Sequence, residues 1–152
     1  MLSPMILVAL AALGMLAILS VRRIPEGQVY TLRRVGGHTR MIGSGMHLIL
    51  PLLERVAHKI SLTGANVRVD GLTAADTHYR GIVYFQVLDP VRADRVIDDV
   101  DVLLKDRTRS LFADAALPET SDGRRQWLKQ SLNSDVRERG LLVTRVDLAA
   151  VN

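Results

Sequence analysis

The 152-residue chain contains no cysteine, which excludes disulfide scaffolds, thiol catalysis and thiolate metal sites. Aromatic residues make up only 4% of the chain, so few rings are present to stack on nucleic-acid bases. The net charge of +4 fits an anionic membrane surface as well as it fits nucleic acid. With so few rings, we expect no nucleic-acid partner. The length allows about one domain.

Charged residues are absent from the start of the chain. None of the 36 Asp, Glu, Lys and Arg residues precedes Arg22, and Met5 to Val21 is apolar except for Ser20. A helix of about 17 to 20 residues rises about 25–30 Å, enough to cross a hydrocarbon core. The sequence therefore predicts a transmembrane anchor helix over residues 2–21. A secretory signal peptide is the alternative, although this segment lacks a basic leader and a convincing cleavage site.

The basic residues after the apolar segment predict its orientation. Arg22 and Arg23 flank only its C-terminal end, and Arg33 and Arg34 follow closely, which is typical of a cytoplasmic side. We therefore expect a single-pass protein of the inner (cytoplasmic) membrane with its domain in the cytoplasm. A periplasmic domain is the alternative. Arginine outnumbers lysine by 17 to 3, which indicates a GC-rich bacterial genome.

The remaining residues, 24–150, have the pattern of an α+β domain. Alternating apolar residues predict strands over Gln28 to Val35 and Thr77 to Leu88, and Gly36-Gly37 predicts a hairpin turn. Helical spacing follows, and a last helix over Gly123 to Arg139 leads to a final strand over residues 142–148. The order of strands, helices and one strand is typical of the α+β class.

No arrangement of residues indicates catalysis. His38, His47, His58 and His78 lack metal-binding spacing, and no phosphate-binding glycine motif occurs. The acidic cluster Asp98, Asp99 and Asp101 is more typical of a helix start than of an active site. Arg124-Arg125 is interpreted as a solvated helix start, with contact to lipid headgroups or a partner as the alternative. We expect a protein that is not an enzyme, with no catalytic, cofactor-binding or metal-binding residue.

Four segments in a fixed order resemble a known superfamily. They are Ile24-Pro25-Glu26-Gly27, the segment GMHLILPLLERV over residues 45–56, IVYFQVLDPVRA over 82–93, and the last helix with Gly140 and VTRVDL over 143–148. Together they resemble the SPFH (Band 7) superfamily of stomatin, prohibitin, flotillin and HflK/HflC proteins. The resemblance covers nearly the whole chain.

The resemblance implies antiparallel strands packed with helices behind a membrane anchor. It also implies that the leucine-rich run dips into the lipid interface, and burial in the domain core is the alternative; the run contains Leu48, Ile49, Leu50, Leu52 and Leu53. Superfamily members continue into a long coiled coil, which this sequence does not contain. We therefore expect lateral contacts through the domain itself.

Three functions are consistent with these observations. The first is a membrane-anchored scaffold that organises membrane proteins or lipids by lateral self-association, with the lipid bilayer and copies of itself or related SPFH proteins as partners. The second is a regulatory subunit of a membrane protease, as in HflK/HflC. The third is a chance resemblance, in which a small anchored domain binds lipid or an unknown ligand, or is an enzyme whose active site the sequence does not reveal.

Overall fold

The computed structural model describes residues 4–74, 77–114 and 117–151. It has the α+β class with antiparallel strand pairs. The helices are α1 Pro4–Ser20, α2 Pro90–Ala93, α3 Val100–Asp114 and α4 Ser121–Val136. The strands are β1 Val21–Ile24, β2 Gln28–Arg34, β3 Thr39–Ile42, β4 Gly45–Leu48, β5 Glu54–Ser61, β6 Ala65–Ala74, β7 Thr77–Val87 and β8 Leu141–Val151.

The predicted transmembrane helix over residues 2–21 is wrong. Within the described ranges, no helix combines the length and apolarity needed to cross a membrane. The described helix α1 has 17 residues and a rise of about 25 Å, which is less than the roughly 30 Å thickness of a hydrocarbon core. It ends at Ser20 because Val21 already begins β1, and the Ser20 carbonyl accepts a hydrogen bond from the Ile49 amide at 2.7 Å. Residues 2 and 3 of the predicted helix lie outside the described residues.

The chain divides into two compact units, residues 1–60 (unit 1) and 61–152 (unit 2). The predicted domain over 24–150 includes the boundary between them, and its extent stays a prediction. In unit 1, β1 pairs with β4, and β2 lies between β3 and β5. The predicted Gly36-Gly37 turn is confirmed: both glycines have positive φ, 104° and 88°, and they join the antiparallel strands β2 and β3. The core of unit 1 contains Ile24, Leu32, Ile42 and Ile49, with Tyr30 packed against it.

Unit 2 contains a three-stranded sheet in the order β6-β7-β8. The predicted alternation along β7 is confirmed, because Gly81, Val83, Phe85 and Val87 are buried and their neighbours are less so. The helix α3 packs against β6, and α4 packs against β8. Three side chains of α4 face this interior at one-turn spacing and are fully buried: Leu128, Leu132 and Val136.

The ends of the two long helices follow local sequence signals. The helix α3 begins at Val100, directly after Asp98-Asp99, and continues through the polar run over 105–110. A single turn of 3-10 helix, Arg137–Arg139, follows α4, and Gly140 ends it with a left-handed φ of 77°. That conformation is the one a C-terminal glycine provides, so the predicted helix end is confirmed.

Candidate functional site

The leucine-rich run contains Leu48, the last residue of β4, and the loop that follows it; it is here called the leucine loop (residues 48–53). Four of its leucines are solvent-exposed: Leu48 by 60%, Leu50 by 39%, Leu52 by 77% and Leu53 by 43%. Ile49 differs from them, because it is 5% exposed and belongs to the core of unit 1. The structure therefore leaves four of the five predicted lipid-contact residues exposed to solvent, and it buries the fifth in the core of unit 1.

Backbone hydrogen bonds hold the leucine loop in place. At its start, the Ile49 amide donates to the Ser20 carbonyl; at its end, the Val35 amide donates to the Leu53 carbonyl at 2.9 Å. Between these points, the Glu54 amide donates to the Leu50 carbonyl at 2.8 Å and closes a turn. The exposed leucines are thus presented by a fixed loop.

Two clefts border the leucine loop. The first, here called the Tyr30 cleft, has a volume of about 360 Å³ and is lined by Tyr30 and by four cations, Arg22, Arg23, Arg55 and Lys59. The second, here called the Arg33 cleft, has a volume of about 370 Å³. Its lining includes Arg33, Arg34, Leu52, Leu53 and, again, Arg55. Residues of the leucine loop therefore lie beside six basic side chains.

Among the described residues, these six cations have no acidic partner. The carboxylate lining both clefts belongs to Glu54, whose side chain is 8% exposed and forms an ion pair with Arg40 at 2.9 Å. Within residues 4–74 and the other described ranges, none of the six cations lies within 4 Å of a carboxylate oxygen. Lys59 is instead placed over an aromatic ring, with its Nζ 5.5 Å from the centre of Tyr30. The clefts are therefore positively charged and open to an anionic ligand.

Sequence reasoning identified Arg22 and Arg23 but did not single out Arg55 and Lys59. Both lie on β5, four residues apart, and alternate residues of a strand share one face. That spacing, in a strand adjacent to β2, could have indicated a basic face. The pairing of β5 with β2 is a tertiary feature, however, and no local pattern shows it.

Three other residues considered from the sequence form hydrogen bonds within the fold. Arg124 donates to the Glu119 carbonyl at 2.9 Å and to the Tyr79 hydroxyl, and Arg125 donates to Asp122 at 3.1 Å. His47 lies 3.0 Å from the Gly43 carbonyl oxygen. Across the described ranges, no three metal-ligating side chains come together.

An ion pair within unit 2 changes the pKa of Arg145. Arg145 donates to Asp147 at 2.7 Å on β8, and this hydrogen bond, with the attraction of the Asp147 charge, raises the pKa of Arg145 above its ordinary value. The guanidinium also lies over the ring of Tyr84, 5.6 Å from its centre. Arg145 is therefore held by its own domain and is not part of the candidate site.

Comparison with known proteins finds distant relatives. No family model matches the chain. Uncharacterized proteins of Mycobacterium tuberculosis and Mycobacterium bovis are 29% identical over 166 aligned residues, which cover 96% of this chain and 42% of each relative. The mitochondrial stomatin-like protein 2 of Homo sapiens is 22% identical over 81 residues, which cover 50% of this chain and 23% of that protein.

These matches support the predicted resemblance in part. The chain is distantly similar to a stomatin-like protein over half its length, which agrees with an SPFH/Band 7 relationship at a coarse level. The chain spans less than half the length of the curated relatives it matches.

Proposed function

We propose that this chain is an SPFH-type scaffold protein that contacts an anionic lipid surface through the leucine loop and associates laterally with copies of itself or with related proteins. The observation that carries the proposal is the leucine loop itself: it exposes four leucines, and its residues line two clefts whose cations have no acidic partner among the described residues. The proposed contact is interfacial and depends on side chains of unit 1.

The chemistry of this surface fits the lipid–water boundary. Apolar side chains gain about 1.5–3 kcal/mol each when they are fully buried, so the exposed leucines would be stabilised among acyl chains. Each Lys or Arg near an anionic leaflet adds about 1 kcal/mol of attraction. A surface that combines both features binds anionic lipid in preference to neutral lipid.

The proposed self-association is supported by the sheet of unit 2. The edge of β8 is occupied in part by α4, because Asn133 exchanges hydrogen bonds of 2.8 and 2.9 Å with the backbone of Val143. The opposite edge strand, β6, pairs with no other strand in the part of the chain that the structure describes, apart from β7. An open strand edge can pair with the same edge of a second copy.

A vesicle-binding experiment with the full chain tests the lipid contact. The double variant Leu50→Ser/Leu52→Ser should lower binding to vesicles of phosphatidylcholine and phosphatidylserine about tenfold, because two exposed apolar side chains are lost. The matched control is Val91→Ser/Val102→Ser, which removes two exposed apolar side chains from unit 2. Both variants retain α1, so any contribution from that helix cancels. Equal loss in the two variants would refute the proposal.

A cross-linking experiment tests the association. Because the chain has no cysteine, Asn66→Cys places a single thiol on the exposed part of β6. A short bismaleimide should link two copies of this variant on vesicles, whereas the control Gln130→Cys on the outer face of α4 should remain monomeric. Equal cross-linking of both variants would contradict pairing through β6. On the described residues no observation favours the protease-regulator alternative, which stays a prediction.

A further inference from the structure

We propose that the Tyr30 cleft is a binding site for the phosphomonoester headgroup of an anionic membrane lipid. This inference rests on the proposed lipid contact and goes beyond it, because it assigns a specific headgroup chemistry to one cleft. A general basic surface would respond only to the density of negative charge. A built phosphate site would distinguish a phosphomonoester from other anions of the same surface charge.

The first argument is the arrangement of charge. Arg22 and Arg23 approach the cleft from β1, and Arg55 and Lys59 approach from one face of β5. Four cations on two strands therefore converge on one volume. Without a ligand they repel one another, and a bound dianion would relieve that repulsion. A phosphomonoester carries about −1.5 to −2 charges near neutral pH and three strong acceptor oxygens, which guanidinium groups bind in bidentate geometry.

The second argument is that the cleft has little competing negative charge. Glu54 is its acidic lining residue, and the Arg40 guanidinium donates to that carboxylate at 2.9 Å and to the Leu48 carbonyl oxygen at 3.3 Å. Arg40 therefore neutralises Glu54 and at the same time fastens the start of the leucine loop. The ion pair leaves the four cations of the cleft free for an external anion.

The third argument concerns shape and position. The cleft volume of about 360 Å³ falls within the range of small-molecule sites, roughly 300–1,000 Å³, and leaves room for more than a bare phosphate. Tyr30 forms part of the wall and positions the Lys59 ammonium by its ring. Pro51 of the leucine loop also lines the cleft, so a headgroup bound there would have its acyl chains beside the exposed leucines. This adjacency favours a lipid over a free phosphate ester as the source.

The test compares vesicles of phosphatidylcholine that contain phosphatidate with vesicles that contain phosphatidylserine, adjusted to equal surface potential. The full chain should bind the phosphatidate vesicles about tenfold more tightly, a difference of about 1.4 kcal/mol. The variant Arg22→Gln/Lys59→Gln should abolish this preference. The charge-matched control Arg33→Gln/Arg34→Gln removes two cations from the Arg33 cleft, and it should weaken binding to both vesicles while keeping the preference.

The outcomes separate this inference from the proposed function. A chain that binds neither vesicle type refutes the proposed function. A chain that binds both types equally retains the proposed lipid contact and refutes the phosphate site. Loss of the preference in both double variants would also refute the site, because it would show that only total charge matters.

Two further measurements check the source of the phosphate and the role of Tyr30. Soluble glycerol 3-phosphate should displace the chain from phosphatidate vesicles only at high excess. If the chain bound glycerol 3-phosphate as tightly as it binds the vesicles, a free phosphate ester and not a lipid would be the ligand. Tyr30→Leu should reduce the preference for phosphatidate vesicles several-fold, because Lys59 is no longer positioned by the ring. Tyr30→Phe should keep the preference of the unchanged chain, because its ring remains. Loss of the preference in Tyr30→Phe would contradict the positioning role. Circular dichroism confirms that each variant folds.

Discussion

The two units of the chain use charge in opposite ways. Residues 1–60 carry seven Lys and Arg against two acidic residues, a formal net charge of +5. Residues 61–152 carry thirteen Lys and Arg against fourteen acidic residues, a formal net charge of −1. In unit 2, at least six ion pairs use these charges; they include Arg107–Asp135 between α3 and α4 and Arg80–Asp70 between neighbouring strands. In unit 1, two carboxylates are too few to form ion pairs with all seven cations.

This difference indicates which charges are available for binding. An arginine that already donates to its own domain, as Arg125 does to Asp122, would have to break that bond to hold a ligand. The cations of the two clefts bear no such cost. The contrast also extends to packing. Unit 1 has a small cluster of four buried aliphatic side chains and also buries Ile60, whereas unit 2 buries residues from its sheet and from two long helices. Unit 2 therefore uses its charges within its own fold, and unit 1 carries the surface for which we propose lipid binding.

The largest expected effect is the loss of stability when a core leucine of either unit is replaced by alanine. Leu32 in unit 1 and Leu104 in unit 2 are both almost fully buried, so replacing either by Ala should cost about 2–5 kcal/mol of unfolding free energy. Trp127, the single tryptophan of the chain, lies on α4 and reports on unit 2. Leu104→Ala should lower the urea midpoint of Trp127 fluorescence, and Leu32→Ala should leave that midpoint unchanged.

Hydrogen exchange resolved by peptide mass spectrometry provides the complementary measurement for Leu32→Ala. Amides of β2 and β3 should exchange faster in this variant, while those of β7 and β8 keep their protection. Equal shifts of the urea midpoint of Trp127 fluorescence in both variants would show that the two units unfold together. The two units would then not differ in stability.

The next largest effect is the loss of stability when a glycine with positive φ is replaced by alanine, and we compare two such glycines. A Cβ at Gly140 would overlap the Asp89 carbonyl oxygen and come within 3.0 Å of the Arg92 Cβ, whereas a Cβ at Gly36 would meet nothing within 4 Å. Gly140→Ala should therefore cost about 2–3 kcal/mol, from strain and overlap together. Gly36→Ala should cost about 1 kcal/mol, from strain alone. Urea unfolding followed by circular dichroism measures both, and a larger loss for Gly36→Ala would contradict this account.

Local patterns predicted much of this fold. The strand at Gln28, the turn at Gly36-Gly37 and the helix end at Gly140 depend on periodicity or on backbone conformation, which neighbouring residues determine. One local signal is misleading: the dipeptide Asp70-Gly71 is typical of a turn that ends a strand. In the structure β6 continues to Ala74, because Gly71, with a φ of 75°, lies at a register shift between Val69 and Leu72.

The features that the sequence did not reveal depend on distant contacts. The strand β1 was not predicted, because it has only four residues and its partner β4 lies more than twenty residues later in the chain. Ile49 could not be separated from the leucines around it, since only the packing of Ile24, Leu32 and Ile42 decides that it is buried. The candidate site has the same limitation: Arg22 and Lys59 line one cleft only after the strands of unit 1 assemble.

The smallest expected effect is the response of each unit to salt. Cations that face one another in unit 1 repel, and the Debye length falls from about 10 Å at 0.1 M salt to about 3 Å at 1 M. Added NaCl should therefore stabilise unit 1 by a few tenths of a kcal/mol, whereas it should leave unit 2 unchanged or slightly weaken it, because exposed ion pairs contribute only about 0–1 kcal/mol each. Urea unfolding followed by hydrogen exchange measures each unit separately. In Arg22→Gln/Lys59→Gln the stabilisation of unit 1 should shrink, because two of the four cations of the Tyr30 cleft are gone. A salt response of the same sign and size in both units would show that the cations of unit 1 do not repel, and the electrostatic basis of the phosphate site would be lost with it.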